Sequence, residues 1–168
     1  YDPSVVIIQF GIADCAPRYF RRTESAAISR APEPIRRAVI FAGQRLRSRS
    51  SKRAYVGPQR FKNNLLRFLQ RINDTDVTTA ILVYVLSSGD KYRSKNPKAP
   101  RQIRRYNGII DNVAGQFDFC ISLRPLTDGA EKEHRMVDNY TVSDGYHLAS
   151  EGHARLARRL RNQIKYRS

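Results

Sequence analysis

The sequence predicts a layered α/β fold built on a parallel sheet. Three observations carry that expectation. Continuous apolar runs at residues 5–10, 79–86 and 117–123 have the length and unbroken hydrophobicity of strands buried on both faces. Stretches with apolar residues at helical spacing lie between and after them. The resulting order is strand, helix, helix, strand, helix, strand, long loop, helix, the alternation that crossover helices produce in a parallel sheet. A chain of 168 residues suits one domain, and residues 1–168 show no internal repeat or domain boundary.

The first run, Val5-Val6-Ile7-Ile8-Gln9-Phe10, lies between Pro3 and Gly11. It starts almost at residue 1 with no element before it. Three strands also make a small sheet for this architecture, so the chain reads as the later part of a domain whose N-terminal strand or strands lie outside it. A helix over 33–46 offers Ile35, Val39 and Leu46 as an interrupted apolar face, and the Ser/Arg-rich residues 47–53 read as a connector. Pro58 suits the first turn of a helix over 58–72, whose stripe is Phe61, Leu65, Phe68, Leu69 and Ile72. After the second strand, residues 91–100 read as a basic loop with two prolines. A helix over 101–114 follows, burying Ile103, Tyr106, Ile110 and Val113. Residues 124–142 show little periodicity. The last helix, over 150–164, turns His153, Leu156, Ala157, Leu160 and Ile164 inward.

Composition narrows the function classes. The formal net charge of +16 exceeds what solubility requires of a small domain. Fifteen Lys or Arg between Arg18 and Arg71 face only Glu24 and Glu33, and residues 91–105 and the last helix carry further basic clusters. Such a field attracts polyanions, whether nucleic acid such as RNA, an anionic lipid surface or acidic glycan, although a solvated arginine-rich surface has the same composition. No zinc spacing, Gly-x-x-Gly clamp or aromatic–basic signature of a nucleic-acid module is present. No run reaches the roughly 18–20 apolar residues of a membrane span, so no transmembrane segment is expected. Cys15 and Cys120 read as two buried thiols, and the three His and two Cys lack metal-ligand spacing.

Chemistry concentrates at Asp144-Gly145-Tyr146-His147. A glycine between a carboxylate and an imidazole permits a tight turn that aims both at one site. The carboxylate can then fix the ring tautomer and stabilise the imidazolium formed when the other nitrogen takes a proton. That is base chemistry for activating a hydroxyl. A surface pair in a turn before a helix has the same spacing. His153 reads as packing or as support behind the site, His134 as an exposed loop residue, and Asp14 as either structural or site-facing.

Asp144-Gly145-Tyr146-His147-Leu148-Ala149-Ser150-Glu151-Gly152-His153 resembles the last block of SGNH (GDSL-type) hydrolases, where Asp-x-x-His and Leu precede Gly-His on the closing helix. The strand at 5–10 with Gly11-Ile12-Ala13-Asp14-Cys15-Ala16-Pro17-Arg18 is similar to the family's third block, in its Gly-Ile-x-Asp-Cys-Ala-Pro-Arg subset. Arg105-Tyr106-Asn107 suits the Tyr-Asn helix common in these enzymes. The resemblance spans nearly the whole chain, in the family's order. It implies a three-layer flavodoxin-like sheet and a Ser-His-Asp hydrolase of esters or acylated sugars, with no metal or cofactor. It also implies His147 as general base, Asp144 as its orienting partner, and Gly11 in the turn lining the pocket.

Two departures from the family matter. Its third-block Asn, an oxyanion donor, falls at Ala13, and loss of one such donor costs on the order of 10²–10³ in rate. Backbone groups or Arg18, a candidate anion or substrate contact, would have to compensate. Secondly, no Gly-Asp-Ser block precedes the first strand. Gly89-Asp90-Lys91 follows a later strand and has Lys where Ser is needed, and Ser87, Ser88 and Ser143 lack a nucleophile's context. Two readings follow. One is an ester hydrolase whose nucleophile block lies outside this chain, in a missing N-terminal segment or a second chain that completes the sheet. The other is an inactive SGNH-like scaffold acting as a basic RNA-binding or assembly component.

Overall fold

The structure, a computed structural model, describes residues 3–10, 12–15, 22–45, 54 and 56–167. Strands β1 (Val5–Gln9), β2 (Thr79–Val83) and β3 (Cys120–Leu123) form a parallel sheet in the order β1-β2-β3. Val5 is in register with Thr79, and Ala80 with Cys120. Helices α1 (Ile12–Cys15), α2 (Arg22–Ser29), α3 (Glu33–Arg45) and α4 (Pro58–Asn73) lie between β1 and β2. Helices α5 (Asp90–Lys95) and α6 (Ala99–Ala114) lie between β2 and β3, and α7 (Ala130–Met136) and α8 (Ser150–Arg167) follow β3.

The pleat of β2 divides the core. All five residues of β2 are buried, and alternate ones face opposite sides. Ala80 and Leu82 pack with Phe61, Leu65 and Leu69 of α4 and with Ile103, Tyr106 and Ile110 of α6. Ile81 and Val83 pack instead with Leu123 and with Leu156, Leu160 and Ile164 of α8. The sheet is thus the middle of three layers. Leu69, fully buried, contributes about 1.5–3 kcal/mol by leaving water. The thiols of Cys15 and Cys120 are both buried and are not joined in a disulfide.

Each expected strand is present but shorter than its apolar run. Residues 84–86 stay buried, yet the ladder stops because the Asn107 side chain takes over the backbone of Val85. Val85 N donates to Asn107 Oδ1 at 2.9 Å, and Asn107 Nδ2 donates to the Val85 carbonyl at 2.9 Å. Phe117 and Phe119 precede β3 in a turn, in which Cys120 N donates to the Phe117 carbonyl at 3.0 Å. Burial of β1 on both faces is not observed. Ile7 pairs with Ile81, but the α8 cluster that covers Ile81 does not extend to Ile7, which is 45% exposed.

The helices show further departures. Ile35 on α3 is exposed, and Leu46 and the connector 47–53 lie outside the described residues. The stretches read as a basic loop and as aperiodic chain contain α5 and α7, short polar helices without an apolar stripe. On α8, Gly152 and Leu156 take the inward positions, so His153 and Ala157 are exposed. His134 is the opposite case: it sits on α7, half-buried, with Nδ1 donating to the Ser88 carbonyl at 3.1 Å and its other ring nitrogen against Arg93.

Candidate active site

The carboxyl ends of parallel strands are where open α/β sheets hold ligands, because the chain leaves each strand there in a loop. α1 begins at that end of β1, residues 84–90 leave β2 there, and residues 124–129 leave β3 there. The Asp144/His147 turn packs onto the second of these loops.

The turn is a tight excursion pinned at its base. Thr141 and Leu148 form an antiparallel bridge, and Val142 N donates to the His147 carbonyl at 2.9 Å. Gly145 N then donates back to the Val142 carbonyl at 3.0 Å. Gly145 has φ 76°, a left-handed conformation that an L side chain adopts at a cost. A Cβ there would also lie 3.1 Å from Tyr92 N and 3.3 Å from Lys91 Cβ. The backbone of α5 therefore sits directly against the turn, and Gly89 N donates to the Gly145 carbonyl at 3.3 Å.

Within this frame Asp144 does two things. Its Oδ1 accepts the amides of Tyr146 and His147, each at 3.0 Å, which closes the loop as an Asx turn. Its Oδ2 accepts from His147 Nδ1 at 2.7 Å. A carboxylate only accepts, so Nδ1 carries the proton and the neutral ring has its lone pair on Nε2. Partial desolvation works to raise the Asp144 carboxyl. The His147 and Tyr146 amides and the His147 ring outweigh it and hold the group below its ordinary 3.8. His147 is 67% exposed, and among the described residues no hydrogen bond reaches its Nε2. The rings of Tyr146 and His147 are 4.2 Å apart, and those of Tyr92 and Tyr146 are 4.9 Å apart. Tyr146 is thus held between the imidazole and α5.

A second carboxylate organises the loops behind the turn. Glu133 on α7 is fully buried. Its Oε2 accepts the Ser87 hydroxyl at 2.7 Å, and its Oε1 accepts the Leu126 amide at 3.3 Å. One side chain therefore ties the loop after β2 to the loop after β3. Desolvation by burial pushes the Glu133 carboxyl above its ordinary 4.5, against the pull of the Ser87 and Leu126 hydrogen bonds and the Arg124 charge. Asp138 completes the support. Its Oδ2 accepts Asp90 N at 2.8 Å, and its carboxylate occupies the space that a Cβ on Gly89 would need.

The structure brings Asp144 and His147 together as the spacing predicts. Ala13 and Asp14 lie on α1, but their side chains, with Gly11 and Arg18 entirely, are outside the described residues. Ser87 is engaged by Glu133, and Gly89-Asp90 opens α5. Asn107 serves as a backbone clamp on Val85, and the Tyr106 hydroxyl donates to the Val56 carbonyl. Sequence reasoning missed Glu133, Asp138, Tyr92 and Tyr146. Tyr146, inside the motif itself, was the one with a visible signal. Among the described residues no group of three or more His, Cys, Asp or Glu is placed to hold a metal ion. No described helix is long and apolar enough to cross a membrane.

No family model matches the chain, and the search of curated proteins returns no match. Among solved structures the chain is similar to one described as "a putative platelet activating factor from Streptococcus pneumonia". The TM-score is 0.52 at 14% identity, over 98% of this chain and 85% of that one. At that identity the likeness is one of fold: a parallel sheet between helical layers.

Proposed function

We propose that this chain carries the acid–base half of a Ser-His-Asp ester hydrolase of the SGNH type, acting on esters or acylated sugars. The observation that carries the reading is the 2.7 Å hydrogen bond from His147 Nδ1 to Asp144 Oδ2, with Nε2 directed away from it on an exposed ring. The turn's position against the loop leaving β2, on the ligand-binding edge of the sheet, supports it.

In this reading His147 Nε2 takes the proton from a serine hydroxyl as its oxygen attacks the ester carbonyl. The proton is then returned to the departing alkoxide. Asp144 holds the tautomer and stabilises the imidazolium between the two steps. The serine belongs to a Gly-Asp-Ser block outside these 168 residues. Among the described residues no hydroxyl is hydrogen-bonded to Nε2, and Ser87, in the loop that leaves β2, donates to Glu133.

The test is p-nitrophenyl acetate hydrolysis by the protein expressed from its whole gene, with and without His147→Ala. The expected loss is on the order of 10⁴-fold in kcat. Hydrolysis that survives His147→Ala contradicts the assignment of the base. Absence of any His147-dependent hydrolysis in the wild type supports the inactive scaffold instead.

A further inference from the structure

The α4/α6 side of the sheet carries a charge pattern that neither the core nor the Asp144/His147 turn uses. α4 buries Phe61, Leu65 and Leu69 and exposes Arg60, Arg67 and Arg71. Separations of seven and four residues put these arginines on one side of the helix, in a row about 16 Å long. α6 packs beside α4, burying Ile103, Tyr106, Ile110 and Val113 and exposing Arg101, Arg104 and Arg105.

Carboxylates do not balance them. α4 contains no Asp or Glu, and Asp74 and Asp76 lie beyond its C-terminal end. The one acid of α6, Asp111, accepts from the Tyr84 and Ser122 hydroxyls. None of the six arginines forms an ion pair among the described residues. The opposite layer uses part of its charge structurally. On α8, Arg155 donates to the Leu126 carbonyl at 2.6 Å and Arg159 to the Arg124 carbonyl at 3.0 Å, so both hold loops in place, while Arg158, Arg161 and Lys165 are exposed without an ion pair among the described residues and serve as the control for net charge.

We propose that the α4/α6 face binds the phosphate backbone of nucleic acid. Guanidinium forks match phosphate oxygens bidentately. The exposed positions among them include Gln59, Asn63, Asn64, Gln70 and Asn112, amides that donate to phosphate and sugar oxygens. A membrane-surface helix turns its apolar face outward. Here both apolar faces are committed to the core, and Phe68, 39% exposed, is the single large apolar side chain that either helix exposes. Contacts of this kind fix position without reading bases, so binding is independent of sequence.

The experiment is fluorescence anisotropy of a labelled RNA duplex of about 20 base pairs and a DNA duplex of the same length, titrated across salt. Both are expected to bind, with log K falling against log salt at a slope of about −3 to −5. Arg60→Gln/Arg67→Gln/Arg71→Gln should reduce the slope by about 2–3, and Arg101→Gln/Arg104→Gln/Arg105→Gln by a similar amount. Arg158→Gln/Arg161→Gln/Lys165→Gln removes the same charge from exposed residues on the opposite layer and should leave the slope unchanged. Equal losses in all three variants would show attraction by net charge alone and overturn the proposal. So would a flat salt dependence, or binding to phosphatidylserine-containing vesicles or heparin without binding to either duplex.

Discussion

Asp144 and Glu133 are two carboxylates near the same edge of the sheet, driven in opposite directions by their surroundings. Asp144 is partly exposed, accepts two amides and a ring N–H, and is held below its ordinary 3.8. Glu133 is fully buried, accepts one hydroxyl and one amide, and is pushed above its ordinary 4.5 by desolvation. The same functional group becomes a fixed negative charge beside an imidazole in one place and a clamp between loops in the other. Access to water decides between these outcomes: desolvation outweighs the hydrogen bonds at Glu133 and is outweighed by them at Asp144. The carboxylate that holds the His147 ring is therefore kept apart from the carboxylate that holds the loops.

Substitutions break this comparison at different scales. Asp144→Asn should have the largest effect, lowering ester hydrolysis by about 10²–10⁴-fold with the fold intact, because the ring loses the acceptor that fixes its tautomer. Equal rates for wild type and variant would remove Asp144 from the mechanism. Glu133→Ala acts on stability instead. It leaves the buried Leu126 amide and the partly buried Ser87 hydroxyl without their acceptor and should cost about 2–4 kcal/mol in urea unfolding. A cost within about 0.5 kcal/mol of zero would show that the clamp is not structural.

Gly145→Ala should be milder, about 1–2 kcal/mol, from the left-handed backbone and the close approach of α5. It should also lower activity by displacing the turn, and unchanged stability and rate together would contradict the geometry. The pH dependence of stability is the smallest effect. Glu133 has a raised folded value, so its contribution is complete below 4.5 and is lost as pH rises through that raised value. Asp144 has a lowered one, so its contribution is present above 3.8 and is lost as pH falls through the lowered value. In Glu133→Gln the decline on the upper side should disappear, and a decline identical to wild type would assign it to another group.

The contrast also explains what could be read from the chain. Apolar runs announced all three strands, and the stripes of α4 and α6 announced the layer that packs on β2, because burial of apolar residues follows the periodicity of the backbone. Asp144 and His147 were legible because both are local to one turn. Glu133 was not: a buried acid is paired through distant loops, and nothing in Glu-Lys-Glu-His marks which carboxylate goes inside. The other two histidines exchange their expected places for a related reason. His153 has inward spacing, but Gly152 and Leu156 fill that side of α8, whereas His134 lies in a polar segment that tertiary hydrogen bonds draw against Ser88 and Arg93. The end of β2 was overestimated because a side chain, Asn107, replaces a strand at Val85, and the start of β3 because residues 117–119 form a turn.

The most direct test of the Asp144/His147 pair is the tautomer of His147 by long-range proton–nitrogen NMR of the neutral ring, in wild type and in Asp144→Asn. The account predicts the proton on Nδ1 and a bare Nε2 in the wild type, with that preference lost in the variant. A wild-type ring protonated on Nε2, or one that Asp144→Asn leaves unchanged, would contradict it.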